Sequence, residues 1–188
     1  MAKTMGLTWT VADADTLSPA EIYGEVLAQA GHQNPKIVAM TADLAGSTKI
    51  GRFQKEFPNR FYNFGIAECN MFAAASGMAL CGFLPVVSTF AVFTALRAAE
   101  FVRTDICYQK ANVKIIATHS GTSFGQAGVT HHCIEDLAVM RSLPGMTVIA
   151  PADGYETAHA VSQALVWDGP VYIRIGRGFE PMVHKSRD

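Results

Sequence analysis

Val113-Lys114-Ile115-Ile116-Ala117-Thr118 is a short, largely β-branched run, and a glycine-rich loop from about Ser120 to His132 follows it. A run of this length bounded by turn residues reads as a strand. Downstream, Glu135 to Ser142 reads as helix, Thr147-Val148-Ile149-Ala150 as strand, Tyr155 to Val166 as helix and Val171 to Ile175 as a last strand. Upstream, Phe93 to Gln109 reads as helix and Pro85-Val86-Val87-Ser88 as strand. Before these come a helix of small and apolar residues from about Ala67 to Cys81, a polar loop, and the strand Ile37-Val38-Ala39-Met40. Ser18-Pro19 suits a helix start, with Ser as N-cap and Pro in the first turn. Ile22, Val26 and Ala30 then recur at four-residue spacing, and Gly31 offers a stop. Alternating helices and continuously apolar strands predict an α/β fold, doubly wound, with a mainly parallel sheet and helices on both faces. The loops after the strands then gather at the carboxyl edge, where such sheets bind ligands.

The 188 residues suffice for one domain with a sizeable core. The pattern divides into an arm over residues 1–16, a domain over 17–180 and a tail or linker start over 181–188. There are no repeats and no low-complexity linker. Apolar residues make up 49% and charged residues 16%, which excludes a disordered chain and leaves room for an apolar interface. The net charge of −1, without a basic stripe, gives nucleic-acid binding no electrostatic support. No signal-like N-terminus and no apolar run long enough for a bilayer is evident, so a cytoplasmic protein without membrane partners is expected. Cys69, Cys81, Cys107 and Cys133 match neither a metal knuckle nor a disulfide scaffold, and read as buried, reduced thiols.

Several loop clusters carry chemistry, each with a plainer alternative. In Ala42-Asp43-Leu44-Ala45-Gly46-Ser47, Asp43 and Ser47 suit a ligand, and equally a turn that satisfies its own backbone. In Asn63-Phe64-Gly65-Ile66-Ala67-Glu68-Cys69-Asn70, Glu68 opens an apolar helix. It serves as a charge on the helix dipole, or as a desolvated carboxyl sharing a proton with a ligand nitrogen. Phe90 and Phe93 form core, or an aromatic wall for a flat ring. His119, His131 and His132 invite a metal, but no cysteine or carboxylate stands at a usual ligand spacing, so no metal site is assigned.

The ordered set is more specific than its parts. Thr41-Ala42-Asp43-Leu44, Phe64-Gly65-Ile66-Ala67-Glu68, Ser88-Thr89-Phe90 with Phe93, Thr118-His119, Gly125-x-x-Gly128-x-Thr130-His131 and Pro151-Ala152-Asp153 follow one another in this order. Over roughly residues 18 to 178 the chain resembles the pyrimidine-binding domain of transketolases, most of all the short subunit of split bacterial forms. The resemblance implies a thiamine diphosphate-binding fold of the pyrimidine type. It implies transfer of a two-carbon ketol unit between sugars or sugar phosphates. Glu68 then takes the place of the glutamate that bonds N1′ of the cofactor's aminopyrimidine, and Glu68 and His131 take catalytic roles. Phe90 and Phe93 match residues packed on the pyrimidine, and Asp43 a carboxylate close to the cofactor. Ser47 and Arg177 match groups holding a substrate phosphate, while His119 and His131 match histidines near the sugar hydroxyls.

Three positions depart from the family pattern: Leu96 replaces a Tyr, Ala127 an Asp that contacts a donor hydroxyl, and Ala20 a phosphate-binding Arg. The last two point to a different donor or acceptor, such as an unusual or unphosphorylated sugar. No Gly-Asp-Gly occurs, so the Mg²⁺ ligands on the cofactor's diphosphate are expected on a partner subunit or domain. A homo-oligomer or heterotetramer, inactive without that partner, is the expected form. Alternatives that share the glutamate and the sheet are the β-type half of a 2-oxo acid dehydrogenase decarboxylase and a deoxyxylulose-phosphate-synthase-like protein. A third is a non-catalytic assembly or regulatory module.

Overall fold

Ser18 caps the first described helix, as the sequence predicts. Its side chain accepts from the backbone N–H of Glu21, and the Glu21 carboxylate accepts in return from the Ser18 N–H, closing a capping box. In this computed structural model residues 17–178 and 180–184 are described; the expected arm over 1–16 lies outside them. Helix α1 (Pro19–Gln33) continues past Gly31. Gly31 is therefore not a stop: a Cβ there would lie 2.5 Å from the Phe57 ring and 2.7 Å from that of Phe53, so the glycine permits close packing.

Six strands follow: β1 (Ile37–Thr41), β2 (Phe61–Asn63), β3 (Leu84–Phe90), β4 (Lys114–Thr118), β5 (Thr147–Ile149) and β6 (Val171–Arg174). They form one sheet in the order β2-β1-β3-β4-β6-β5, and every pairing is parallel. The helices between them are α2 (Gly51–Glu56), α3 (Glu68–Leu80), α4 (Ala99–Phe101), α5 (Asp136–Arg141) and α6 (Gly154–Ala164). Alternate strand residues feed two cores. Ile37, Ala39, Val86, Ile116 and Ile173 pack with α1, α2 and α6 on one face. Met40, Val87, Ile115 and Tyr172 pack with α3, α5 and the segment around α4 on the other. This is the doubly wound sheet expected, with both faces covered.

Three local differences have physical causes. The sequence pattern shows only a loop where α2 and β2 stand, because a six-residue helix without a side-chain cap and a half-exposed three-residue edge strand carry little periodicity. The segment expected as one helix from Phe93 is wound as π-helix over Phe93–Arg97 and Val102–Tyr108, with α4 between. Of the four free cysteines, Cys107 and Cys133 are buried, their thiols pushed up to about 11, chiefly by burial. Cys81, by contrast, is exposed where α3 ends, and Cys69 is half-buried, packed against the second core.

Lys114 is fully buried, yet each ammonium N–H has an acceptor: Asn112 Oδ1 at 2.6 Å and the carbonyls of Trp167 and Gly169 at 2.8 and 2.6 Å. It thus joins the start of β4 to the turn entering β6, with the charge matched by hydrogen bonds. Among the described residues, no helix is long and apolar enough to cross a membrane.

Candidate functional site

The sheet changes its winding direction between β1 and β3: the chain runs from β1 outward to β2, then returns to β3 on the other side. The carboxyl ends of β1 and β3 therefore flank a crevice of the kind where parallel sheets receive ligands. Thr41 bridges the two strands there, donating to the Ser88 carbonyl at 3.1 Å and accepting from the Leu44 N–H at 3.2 Å. Asp43 follows in the left-handed region at φ 61°, exposed. Its N–H donates to Asn63 Oδ1 at 2.9 Å, and its carboxylate accepts from Asn63 Nδ2 at 3.1 Å. Asn63 Oδ1 also accepts from the Gly65 N–H, fixing the approach to α3.

Glu68 opens α3 and is 1% exposed. Its two oxygens accept from Nη1 of Arg97 at 2.9 and 2.8 Å. The Arg97 side chain is 46% exposed, and its guanidinium carbon lies 4.3 Å from the centre of the Phe93 ring. Phe93 and Arg97 share one π-wound turn, closed by the Ala98 N–H on the Phe93 carbonyl at 3.0 Å. Phe93 stacks on Phe90 with centroids 5.7 Å apart, and Phe90 packs on His119 at 4.0 Å and edge-on to Phe124 at 5.6 Å. His131 lies 5.6 Å from Phe93 and 5.1 Å from Phe124. One aromatic cluster therefore runs from the buried carboxylate, through Arg97, to both histidines. Leu96 is exposed on the same turn.

His119 is buried with φ 58°, its Nδ1 2.9 Å from Thr118 Oγ1. Burial, reinforced by the charges of Arg177, His131 and Lys49, pulls its pKa down to about 4, so it is neutral near pH 7. His131 Nδ1 similarly meets Thr130 Oγ1 at 2.8 Å, and His132 Nε2 meets the Gly125 carbonyl at 3.0 Å. Paired hydrogen bonds between Gly121 and Cys133, at 2.8 and 2.9 Å, pinch the base of this glycine-rich loop. Just beyond, buried Asp136 accepts from Tyr172 at 2.9 Å and from Arg174 Nε at 2.8 Å, anchoring the loop exit to β6. No group of three or more metal-ligating side chains occurs among the described residues.

Beside the aromatic cluster opens a cleft of about 430 Å³, lined by Ser47, Lys49, His119, Ser123, Phe124 and Arg177, with Gly46 and Gly178. Arg177 lies 4.7 Å over the Phe124 ring and its N–H donates to Ser123 Oγ at 3.2 Å. The structure thus brings Ser47, His119 and Arg177 together in the cleft, and Phe90, Phe93, His119 and His131 in the cluster. Asp43 stands at the crevice rim, bonded to Asn63.

Ala127 is half-buried in the loop, its carbonyl accepting from Thr130 Oγ1 at 3.1 Å. Ala20, by contrast, is a residue of α1 packed into the core, 3% exposed. Ala20 is not among the residues that line the cleft. Arg97, Phe124 and Lys49 were missed by the sequence pattern. Phe124, an aromatic inside a glycine-rich loop, was the detectable signal; a Lys in a polar loop gives none.

A buried carboxylate beside a wall of stacked phenyl rings suits a flat heterocycle that pairs its ring nitrogen with the acid. In comparisons with known proteins, the family "Transketolase, pyrimidine binding domain" matches residues 15–180. The chain is 36% identical over 166 residues to an apulose-4-phosphate transketolase subunit from Phocaeicola vulgatus, covering 88% of this chain and 53% of that one. It is 42% identical over 157 residues to 1-deoxy-D-xylulose-5-phosphate synthase 1 of Geobacter sulfurreducens, covering 84% of this chain and 24% of that one. A split-gene transketolase, solved as an inactive β4 tetramer, superposes with a TM-score of 0.81 at 49% identity, covering 92% of this chain and 55% of that one. The chain spans about half the length of the first curated relatives it matches.

Proposed function

The chain belongs to the transketolase pyrimidine-binding domain family, and from that premise we propose that it is the pyrimidine-binding half of a thiamine diphosphate-dependent transketolase-like enzyme. It moves a two-carbon ketol unit between sugars or sugar phosphates, in company with a diphosphate-binding partner that carries the Mg²⁺ ligands. The observation that carries this reading is Glu68, buried at the crevice beside Phe93 and Phe90. The cofactor, when bound, supplies the electron sink for breaking and making the carbon–carbon bond. Phe90 and Phe93 orient its ring and exclude water from it. Glu68 holds a proton at a ring nitrogen, which requires Arg97 to yield at least one of the two carboxylate oxygens. His119, neutral near pH 7, and His131 address substrate hydroxyls. Ser47 and Arg177 hold the substrate's anionic end, Arg with a planar fork of donors. Asp43 stays close to the cofactor from the crevice rim. Ala127 leaves a donor hydroxyl without a carboxylate contact, so the enzyme favours a donor other than the ordinary ketose phosphates. A homo-oligomer or heterotetramer in the cytoplasm is the form that fits.

Co-expression with the diphosphate-binding partner tests this reading. With thiamine diphosphate and Mg²⁺ present, Glu68→Gln is expected to lower turnover by about 10²-fold or more while leaving the circular-dichroism melt in place. Near-normal turnover in that variant would remove Glu68 from the chemistry. The 42% identity to a deoxyxylulose-phosphate synthase favours one second reading, in which pyruvate is the donor. Product analysis with hydroxypyruvate against pyruvate separates the two.

A further inference from the structure

Lys49 sits two residues beyond Ser47 and lines the same cleft as Ser47 and Arg177. Three constraints hold it there. Its backbone is left-handed, φ 64°, a conformation costing a side-chain-bearing residue about 1–2 kcal/mol and kept only where the surroundings enforce it. Its carbonyl is seated on Gly24 of α1, where a Cβ would lie 2.1 Å from the oxygen, so only glycine admits this approach. Its ammonium is 3.3 Å from Glu21 Oε1, and Glu21 is itself fixed by Ser18 through the capping box, with Ser18 Oγ at 2.9 Å from Oε2.

We propose that Lys49 is a specificity-determining residue: with Arg177 and Ser47 it forms a two-cation seat for the dianionic phosphate of a sugar substrate. This rests on the transketolase-like reading, and it supplies from the second loop the cation that the sequence pattern sought near Ala20. A phosphate monoester carries close to two negative charges at neutral pH and offers three strong acceptor oxygens. An ammonium has three N–H donors; one serves Glu21 and two remain for the anion. Arg177 adds a guanidinium whose backbone is pinned to Ser123. Lys49 and Arg177 line the cleft together with His119, and both charges act on that histidine. Glu21 positions the ammonium and does not touch the substrate.

Steady-state kinetics of the enzyme assembled with its partner test this, using a phosphorylated sugar and its unphosphorylated counterpart. Lys49→Met should raise KM for the phosphorylated sugar about tenfold, leave kcat within about twofold, and leave the unphosphorylated sugar unaffected. Lys49→Arg should recover most of the loss. Lys49→Gly removes the ammonium while easing the left-handed backbone, so it should melt no lower than wild type and show the same KM defect. Equal loss on both sugars, or no change in their ratio, would overturn the assignment. If the wild type turns over neither sugar, the functional reading fails, and calorimetry of the full chain with inorganic phosphate still decides about Lys49. Weakening of about tenfold in Lys49→Gly supports the seat, and unchanged binding refutes it.

Discussion

Arg97 gives both oxygens of Glu68 a donor while its guanidinium rests on Phe93, so the acid at the crevice is satisfied before any ligand arrives. Removing it strands a carboxylate inside an apolar wall. Arg97→Ala should therefore destabilise the fold by about 1–3 kcal/mol in urea unfolding, less than for a wholly buried pair because the arginine is half exposed. Glu68→Gln in the same background should return part of that loss, since a neutral amide costs less to bury than an unpaired charge. Additive effects of the two changes would show that the pair is not coupled. At this scale the candidates Glu68, Phe90, Phe93, His119, His131 and Ser47 were legible from loop chemistry, and Arg177 only through the family resemblance. The arginine that binds Glu68 was not, because it lies 29 residues away on a turn whose winding no periodicity announces.

Asp153 shows how one side chain organises an element. Its Oδ1 caps α6 by accepting from the Glu156 N–H at 3.0 Å, and its Oδ2 accepts from the N–H groups of Val183 and His184 and from the His184 ring. Burial pushes its pKa up, but these hydrogen bonds, led by that of the His184 backbone, outweigh burial and hold it at about 2. A carboxyl whose folded pKa lies below its unfolded value stabilises above the unfolded pKa and loses that contribution as pH falls through the folded one. Asp153→Ala should cost about 1–2 kcal/mol at neutral pH. The gap in melting temperature between wild type and variant should close as pH falls from about 5 to about 2. A gap that persists at the acid end would mean that the carboxylate is not the stabilising group. The helix start at Asp153-Gly154 was readable, since an Asp before an apolar-periodic run caps a helix. Its hold on residues 183 and 184 was not, because no local rule links positions thirty residues apart.

At the scale of the whole molecule, the described residues form a crevice with aromatic rings and an acid on one wall. In the proposed enzyme the diphosphate-binding partner completes it. Titration calorimetry of the chain alone with thiamine diphosphate and Mg²⁺ should accordingly show weak binding, and addition of the partner should tighten it about 100-fold or more. Equal affinity with and without the partner would overturn the division of the site between two chains. The sequence by itself determined the layered α/β architecture and the carboxyl edge of the sheet as the place where the polar loops gather. Apolar periodicity and turn residues are local, and continuous apolar strands separated by helices admit few arrangements other than a covered parallel sheet. Only the tertiary structure decided the strand order β2-β1-β3-β4-β6-β5, and with it which loops meet. It set Arg97 on Glu68, Phe124 among the rings and Lys49 in the cleft with Arg177, and it put Ala20 into the core. Those contacts join segments distant in the chain, and their partners are chosen by register, packing and backbone winding, quantities that no local pattern of residues encodes.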